Sequence, residues 1–211
     1  MIWDTIVAGF GGQGLLFAGR VLAQAAMLEG LEVTWLPSYG PQMRGGTANC
    51  SVVISDQAIY SPLVRHPRGL IALNQPSLNE FGPLVRPGGL VVVNSSLVLD
   101  IAASSGLTTV EVPASEIALR LGSVRVANMV ALGAYLGSTQ LLSASSIQAA
   151  LERALPGSRA DLCKLNLAAF QEGTTYGEAA THQSQGGHAH AAAGRSDGAL
   201  RMGEKSGVCR G

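Results

Sequence analysis

The residues with most chemical potential near the start of the chain are glycines. In IVAGFGGQGLLFAG, residues 6–19, Gly9, Gly11 and Gly14 have the spacing G-x-G-x-x-G. A short apolar run precedes them and a helical pattern follows. Glycines at such a junction let backbone N–H groups approach an anion, and the N-terminus of the following helix adds a favourable dipole. A tight strand-to-helix turn, with glycines required only for packing or for a positive φ at Gly11 or Gly14, accounts for the same residues. A nicotinamide dinucleotide site needs one thing more, an acid at the end of the second strand, about 20 residues on, for a ribose hydroxyl. Leu36-Pro37-Ser38 stands there instead.

The second group is SYGPQMRGG, residues 38–46. It follows the carboxyl end of a strand, where open α/β sheets place ligands. Ser38 and Tyr39 offer hydroxyls, and Arg44 has the planar fork that grips phosphate or carboxylate. A rigid surface loop whose arginine pairs with a local acid is the plainer alternative.

Other candidates carry less. His66 lies between Arg65 and Pro67 in a loop. His182, His188 and His190 fall in a Gly/Ala/Ser/Gln segment with no cysteine beside them. Cys50 sits in an alternating strand and suits core packing. Asn74, Asn94, Ser95 and Ser96 end two apolar strands, facing a ligand edge or capping the next helices. No Ser/His/Asp set and no paired carboxylates occur, so no catalytic residue is assigned. Cys50, Cys163 and Cys209 form no CxxC pair, cannot supply the four thiolates that iron–sulfur clusters usually take, and point to a reducing cytoplasm. No metal site is expected.

Composition narrows the class. Of 211 residues 47% are hydrophobic and only 13% charged, with 14 basic and 14 acidic side chains. A sizeable core is affordable, nucleic-acid binding lacks its clustered basic charge, and sparse surface charge favours subunit contacts. Apolar runs fall well short of the roughly 20 residues that span a bilayer, and no signal peptide is evident.

The elements that would position these residues follow from periodicity. Strands are expected at Asp4–Gly9, Glu32–Leu36, Thr47–Ser55, Leu70–Asn74, Gly89–Asn94 and Thr108–Val112, with a hairpin from Thr47–Ser55 through Asp56-Gln57 to Ala58–Tyr60. Helices are expected from about Gly14 to Glu29 and Ser77 to Leu84, and on the faces Val126/Met129/Val130/Gly133, Ile147/Ala150/Leu151/Ala154 and Leu162/Leu165/Ala169. Alternation of strand and helix predicts an α/β, Rossmann-like three-layer domain with a mostly parallel sheet, over residues 1–176. From Gly177 to Ala199 no large aliphatic or aromatic side chain occurs, so residues 177–211 are expected to form a low-complexity, disordered C-terminal tail.

GFGGQG, SYGPQMRGG, VVISDQAIYSPLV, GLIALNQPSL, GGLVVVNSSLV and ANMVALGAYLG, in this order and spacing over residues 6–176, resemble the gamma subunit, or gamma domain, of 2-oxoacid:ferredoxin oxidoreductases. Met43 departs from the polar residue more usual before Arg44. The resemblance implies oxidative decarboxylation of a 2-oxoacid to an acyl-coenzyme A by a multisubunit cytoplasmic enzyme. Thiamine diphosphate and iron–sulfur clusters would belong to partner alpha/beta subunits and a ferredoxin-like subunit, with ferredoxin as acceptor. This chain would be non-catalytic by itself. It further implies coenzyme A at a subunit interface, its pyrophosphate cradled by Gly11, Gly12, Gln13 and Gly14, with Ser38, Tyr39 and Arg44 beside them. The residues alone leave two alternatives, an NAD(P)-binding Rossmann oxidoreductase and a stand-alone coenzyme A- or nucleotide-binding module.

Overall fold

The computed structural model describes residues 1–38, 47–101, 106–155 and 160–192. Its elements are β1 (Ile2–Phe10), α1 (Leu15–Leu28), β2 (Glu32–Ser38), β3 (Thr47–Ser55), β4 (Gly69–Ala72), α2 (Gln75–Phe81), β5 (Leu90–Asn94), β6 (Thr108–Val112), α3 (Ala114–Arg120), α4 (Ala127–Thr139), α5 (Ala144–Ala154) and α6 (Ala160–Ala192). One six-stranded sheet has the order β2-β3-β1-β4-β5-β6. The β1–β4, β4–β5 and β5–β6 pairs are parallel, whereas β3 runs antiparallel to both β1 and β2. The expected α/β class and mostly parallel sheet are present.

GLIA of β4 and LVVVN of β5 are buried throughout, as strands covered on both faces should be. Alternation divides their side chains between two cores. Val7, Ile71, Val92, Val110 and Val112 pack with α1, α4, α5 and α6. Ile6, Ala8, Leu70, Ala72, Val91 and Val93 pack with Phe81 of α2 and Val85 on the other side. The sheet is thus the middle of three layers, with most of the helical mass on one face.

Two expectations change. Ala58–Tyr60 forms no strand, and Tyr60 is 98% exposed. Both edges of β3 are already paired, with β1 and β2, so no edge remains for a hairpin partner. The helix α6 also does not stop at Tyr176 but continues to Ala192. Its passage beyond Tyr176 is explained by contact with α4. A Cβ on Gly173 would run into the carbonyl oxygen of Val130, and one on Gly177 into that of Ala134. From the other helix, a Cβ on Gly133 would strike the carbonyl of Phe170, and one on Gly137 that of Thr174. The two backbones meet through their glycines, and Ser138 Oγ donates to both Ala134 O (2.9 Å) and Gly177 O (3.1 Å). Gly177 therefore belongs to the packed domain although it has no side chain to bury. Residues 193–211 of the expected tail, including Cys209, lie outside the described residues.

Candidate ligand-binding edge

The glycine loop leaves the carboxyl end of β1 and enters α1. Positive φ falls at Gly12 (96°) and Gly14 (74°), not at Gly11. Gly14 is the residue preceding α1 and takes the left-handed conformation. A Cβ there would sit 2.6 Å from Asn128 Nδ2, whereas one on Gly12 would meet nothing within 4 Å. Gly14 is closed in by packing, and Gly12 faces open space.

Gln13 is occupied within the protein. Its Oε1 accepts from Phe10 N (2.6 Å) and Asn74 Nδ2 (3.2 Å), and its Nε2 donates to Leu73 O (3.3 Å). The side chain fastens the loop to the end of β4. Asn128, at the start of α4, donates from Nδ2 to Gly14 O (2.8 Å) and accepts from Met129 N (2.9 Å) at Oδ1. The first turns of α1 and α4 are thereby fixed to each other.

The polar ends of β4 and β5 are also tied. Asn74 caps α2 by accepting from Ser77 N (2.9 Å). Asn94 Nδ2 donates to Ser115 Oγ (2.9 Å), and Asn94 Oδ1 accepts from Ser115 N (3.2 Å), fastening β5 to α3. Gly12, Gln13, Asn94, Ser115, Arg125 and Asn128 together line a pocket of about 130 Å³ at the carboxyl edge of the parallel strands.

Ser38 lies elsewhere. It pairs with Asn49 of β3, which pairs with Ala8 of β1. It therefore sits two strand spacings, about 10 Å, from β1. It lines a separate pocket of about 690 Å³ with Asn49, Ser51, Arg65 and His66. Tyr39 and Arg44 lie outside the described residues. The insertion of β3 also bears on the dinucleotide alternative, since the end of β2, where a ribose-binding acid would stand, is not beside the glycine loop.

Cys50 is fully buried, its thiol 3.7 Å from Leu15 O. Burial pushes that thiol up to about 11, against a smaller opposing contribution from Trp35, so it packs rather than reacts. His66 is exposed, and its carbonyl accepts from Arg86 Nε. No cluster of three or more His, Cys, Asp or Glu that could hold a metal occurs among the described residues, and no helix among them is long and apolar enough to cross a membrane. The residues that sequence reasoning missed are Ser115, Arg125 and Asn128. The last belongs to ANMVALGAYLG, where its position before an apolar helix was the available signal.

Parallel strands ending on a glycine turn and polar caps, with no acid–base pair nearby among the described residues, define a three-layer α/β domain. Residues 4–176 match the family pyruvate ferredoxin/flavodoxin oxidoreductase, and the chain belongs to that family as a gamma-type member. It is 34% identical over 174 residues to 2-oxoglutarate synthase subunit KorC of Methanothermobacter marburgensis, covering 79% of this chain and 92% of that one. Ketoisovalerate oxidoreductase subunit VorA of the same organism is 49% identical over 127 residues, 60% of this chain. The match spans only 26% of VorA's length. Among solved structures, the gamma subunit of a keto/oxoacid ferredoxin oxidoreductase from Geobacter sulfurreducens superposes with a TM-score of 0.73 at 31% identity, over 84% of this chain and 99% of that one. The 2-oxoglutarate:ferredoxin oxidoreductase from Magnetococcus marinus, solved with 2-oxoglutarate, coenzyme A and succinyl-CoA bound, gives 0.77 at 26% identity, over 84% of this chain and 31% of that one.

Proposed function

We propose that this chain is the gamma subunit of a multisubunit 2-oxoacid:ferredoxin oxidoreductase. The complex converts a 2-oxoacid and coenzyme A to an acyl-coenzyme A and carbon dioxide and passes two electrons to ferredoxin, in the cytoplasm. The observation that carries the reading is that the family match, residues 4–176, takes in the glycine loop and, but for Ile2 and Trp3 of β1, every strand of the sheet. Thiamine diphosphate and the iron–sulfur clusters supply the decarboxylation and electron-transfer chemistry from partner alpha/beta and ferredoxin-like subunits.

This chain's own part is to hold coenzyme A at the subunit interface. The backbone of Gly11, Gly12 and Gly14 approaches the pyrophosphate, and the open face above Gly12 supports that role. Gln13 contributes by holding the loop's shape, since its side chain is bonded to Phe10 of β1, to Leu73 just past β4 and to Asn74. Ser38 contacts a more distant part of the ligand, and Tyr39 and Arg44 of the same motif contribute further contacts to it.

The test is co-expression with thiamine-binding and cluster-binding partners. The tagged chain should retain those subunits, and the complex should reduce ferredoxin only with both a 2-oxoacid and coenzyme A present. Pyruvate, 2-oxoglutarate, a branched-chain 2-oxoacid and indolepyruvate are compared, with 2-oxoglutarate expected first. A chain that retains no thiamine-binding partner defeats the proposal. Saturable binding of NADH or NADPH would instead restore the dinucleotide alternative, and coenzyme A binding with no complex recovered would favour a stand-alone module.

A further inference from the structure

The pocket beside Gly12 has a charge property that its sequence motif does not reveal. Arg125 is the only charged side chain among the residues that line it, and the others are Gly, Ala, Asn, Gln, Ser, Leu and Val. Arg125 is exposed, and among the described residues no acid pairs with it. It is not at the end of a wandering loop. A short 3-10 turn, Val124–Val126, carries it, and Ser123 Oγ accepts from its backbone N (3.4 Å) at the start of that turn. The turn runs directly into α4, whose Asn128 is bonded to Gly14 O. The arginine and the glycine loop are thus held by one hydrogen-bonded unit, although over 100 residues separate them in sequence.

We infer that Arg125 is the side chain that binds an anionic phosphate of the ligand seated on Gly12, and that this pocket is a phosphate subsite. The inference rests on the coenzyme A reading above and adds to it a residue outside both glycine-rich motifs. Size supports a subsite rather than a whole site. At about 130 Å³ the pocket is well below the roughly 300–1,000 Å³ of pockets that enclose a drug-sized ligand. It accommodates one anionic group while the rest of the molecule extends over the edge. A guanidinium suits that group because it presents paired donors to phosphate oxygens.

The experiment uses the assembled enzyme with Arg125→Ala and Arg125→Lys. Loss of a charge-assisted contact should raise the KM for coenzyme A roughly 10- to 150-fold in Arg125→Ala, without a matching rise in the KM for the 2-oxoacid. Arg125→Lys should recover only part of the loss, since an ammonium keeps the charge without the fork. Inorganic pyrophosphate should compete with coenzyme A in the wild type and compete less well in Arg125→Ala. Thermal melting of each variant identifies one that has failed to fold, and Arg125→Lys then carries the comparison. An unchanged KM for coenzyme A in a folded variant overturns the assignment and leaves the oxidoreductase reading standing. Conversely, a full-length chain that joins no 2-oxoacid oxidoreductase but binds coenzyme A, more weakly as Arg125→Ala, removes the enzyme assignment and supports the subsite. No pyrophosphate competition in the wild type counts against a phosphate subsite directly.

Discussion

The glycine loop after β1 and the crossing of α4 with α6 use the same residue for opposite ends. At the loop, Gly12 has a positive φ and empty space where a Cβ would point. At the crossing, the glycines have ordinary helical backbone, and their missing side chains are replaced by the carbonyls of the facing helix. The loop keeps a surface open, and the crossing closes one. A glycine count cannot distinguish these roles, but the consequence of adding one methyl group can. The crossing should lose stability, and the open side of the loop should lose chiefly ligand affinity.

The largest effect is expected at the crossing. In Gly133→Ala or Gly173→Ala the new methyl meets backbone that cannot rotate away, so the helices must separate. Overpacking of this kind costs typically 1–3 kcal/mol and sometimes more, against about 0.5–1 kcal/mol gained from replacing glycine within a helix. The contacts with the carbonyl oxygens of Phe170 and Val130 lie far inside van der Waals distance and put the cost at or beyond the top of that range. A net loss of at least about 2 kcal/mol is therefore expected by denaturant unfolding of the full chain. Stability equal to or above wild type would mean that the crossing is looser than described. Gly14→Ala should come next, at about 1–2 kcal/mol for a left-handed alanine, with further loss as Asn128 Nδ2 is displaced from Gly14 O. The double substitution with Asn128→Ala sharpens the point, because the two losses should not add.

Gly12→Ala separates the two regions most clearly. Only its backbone strain opposes it, about 1–2 kcal/mol, while the added methyl occupies the face proposed for coenzyme A. Its effect on the KM for coenzyme A should therefore exceed its effect on unfolding, the reverse of Gly133→Ala. Equal effects on both measurements would remove the distinction between an open and a closed glycine.

The smallest effect is expected far from both regions, where α1 meets α5. Glu29 Oε1 accepts from Ser143 N and Ser143 Oγ, each at 2.8 Å. Burial, the largest single influence, raises the carboxyl, but the hydrogen bonds from Ser143 and Ser146 together outweigh it and leave it below its ordinary 4.5. A depressed carboxyl stabilises the fold above its unfolded value and loses that contribution as pH falls through the folded one. Glu29 is exposed, so Glu29→Gln should cost under about 1 kcal/mol at pH 7. The difference from wild type should start to shrink as pH falls through the unfolded value of 4.5 and vanish once pH lies below the lower folded value. A difference that persists at lower pH would show that the cost is not electrostatic.

Much of this was legible in the chain itself. The all-apolar runs Leu70–Ala72 and Leu90–Val93 announced strands covered on both faces, because no alternation with polar residues was needed. The glycine loop announced its place between β1 and α1, and ANMVALGAYLG announced a buried helix. The sequence by itself therefore determined the α/β class, most elements and the order of the motifs, since these depend on local periodicity and on backbone freedom within a few residues. Tertiary structure alone decided what depends on distant partners. It placed β3 between β1 and β2, which removed the expected hairpin and moved Ser38 away from the glycine loop. It turned Gly177, which read as the start of a low-complexity tail, into part of a helix contact beside Gly173, because the surface that a glycine buries belongs to the backbone opposite. It brought Asn128 and Arg125 to the loop, because a side chain's partner is fixed by how helices pack against the sheet, and no spacing in the sequence encodes that distance.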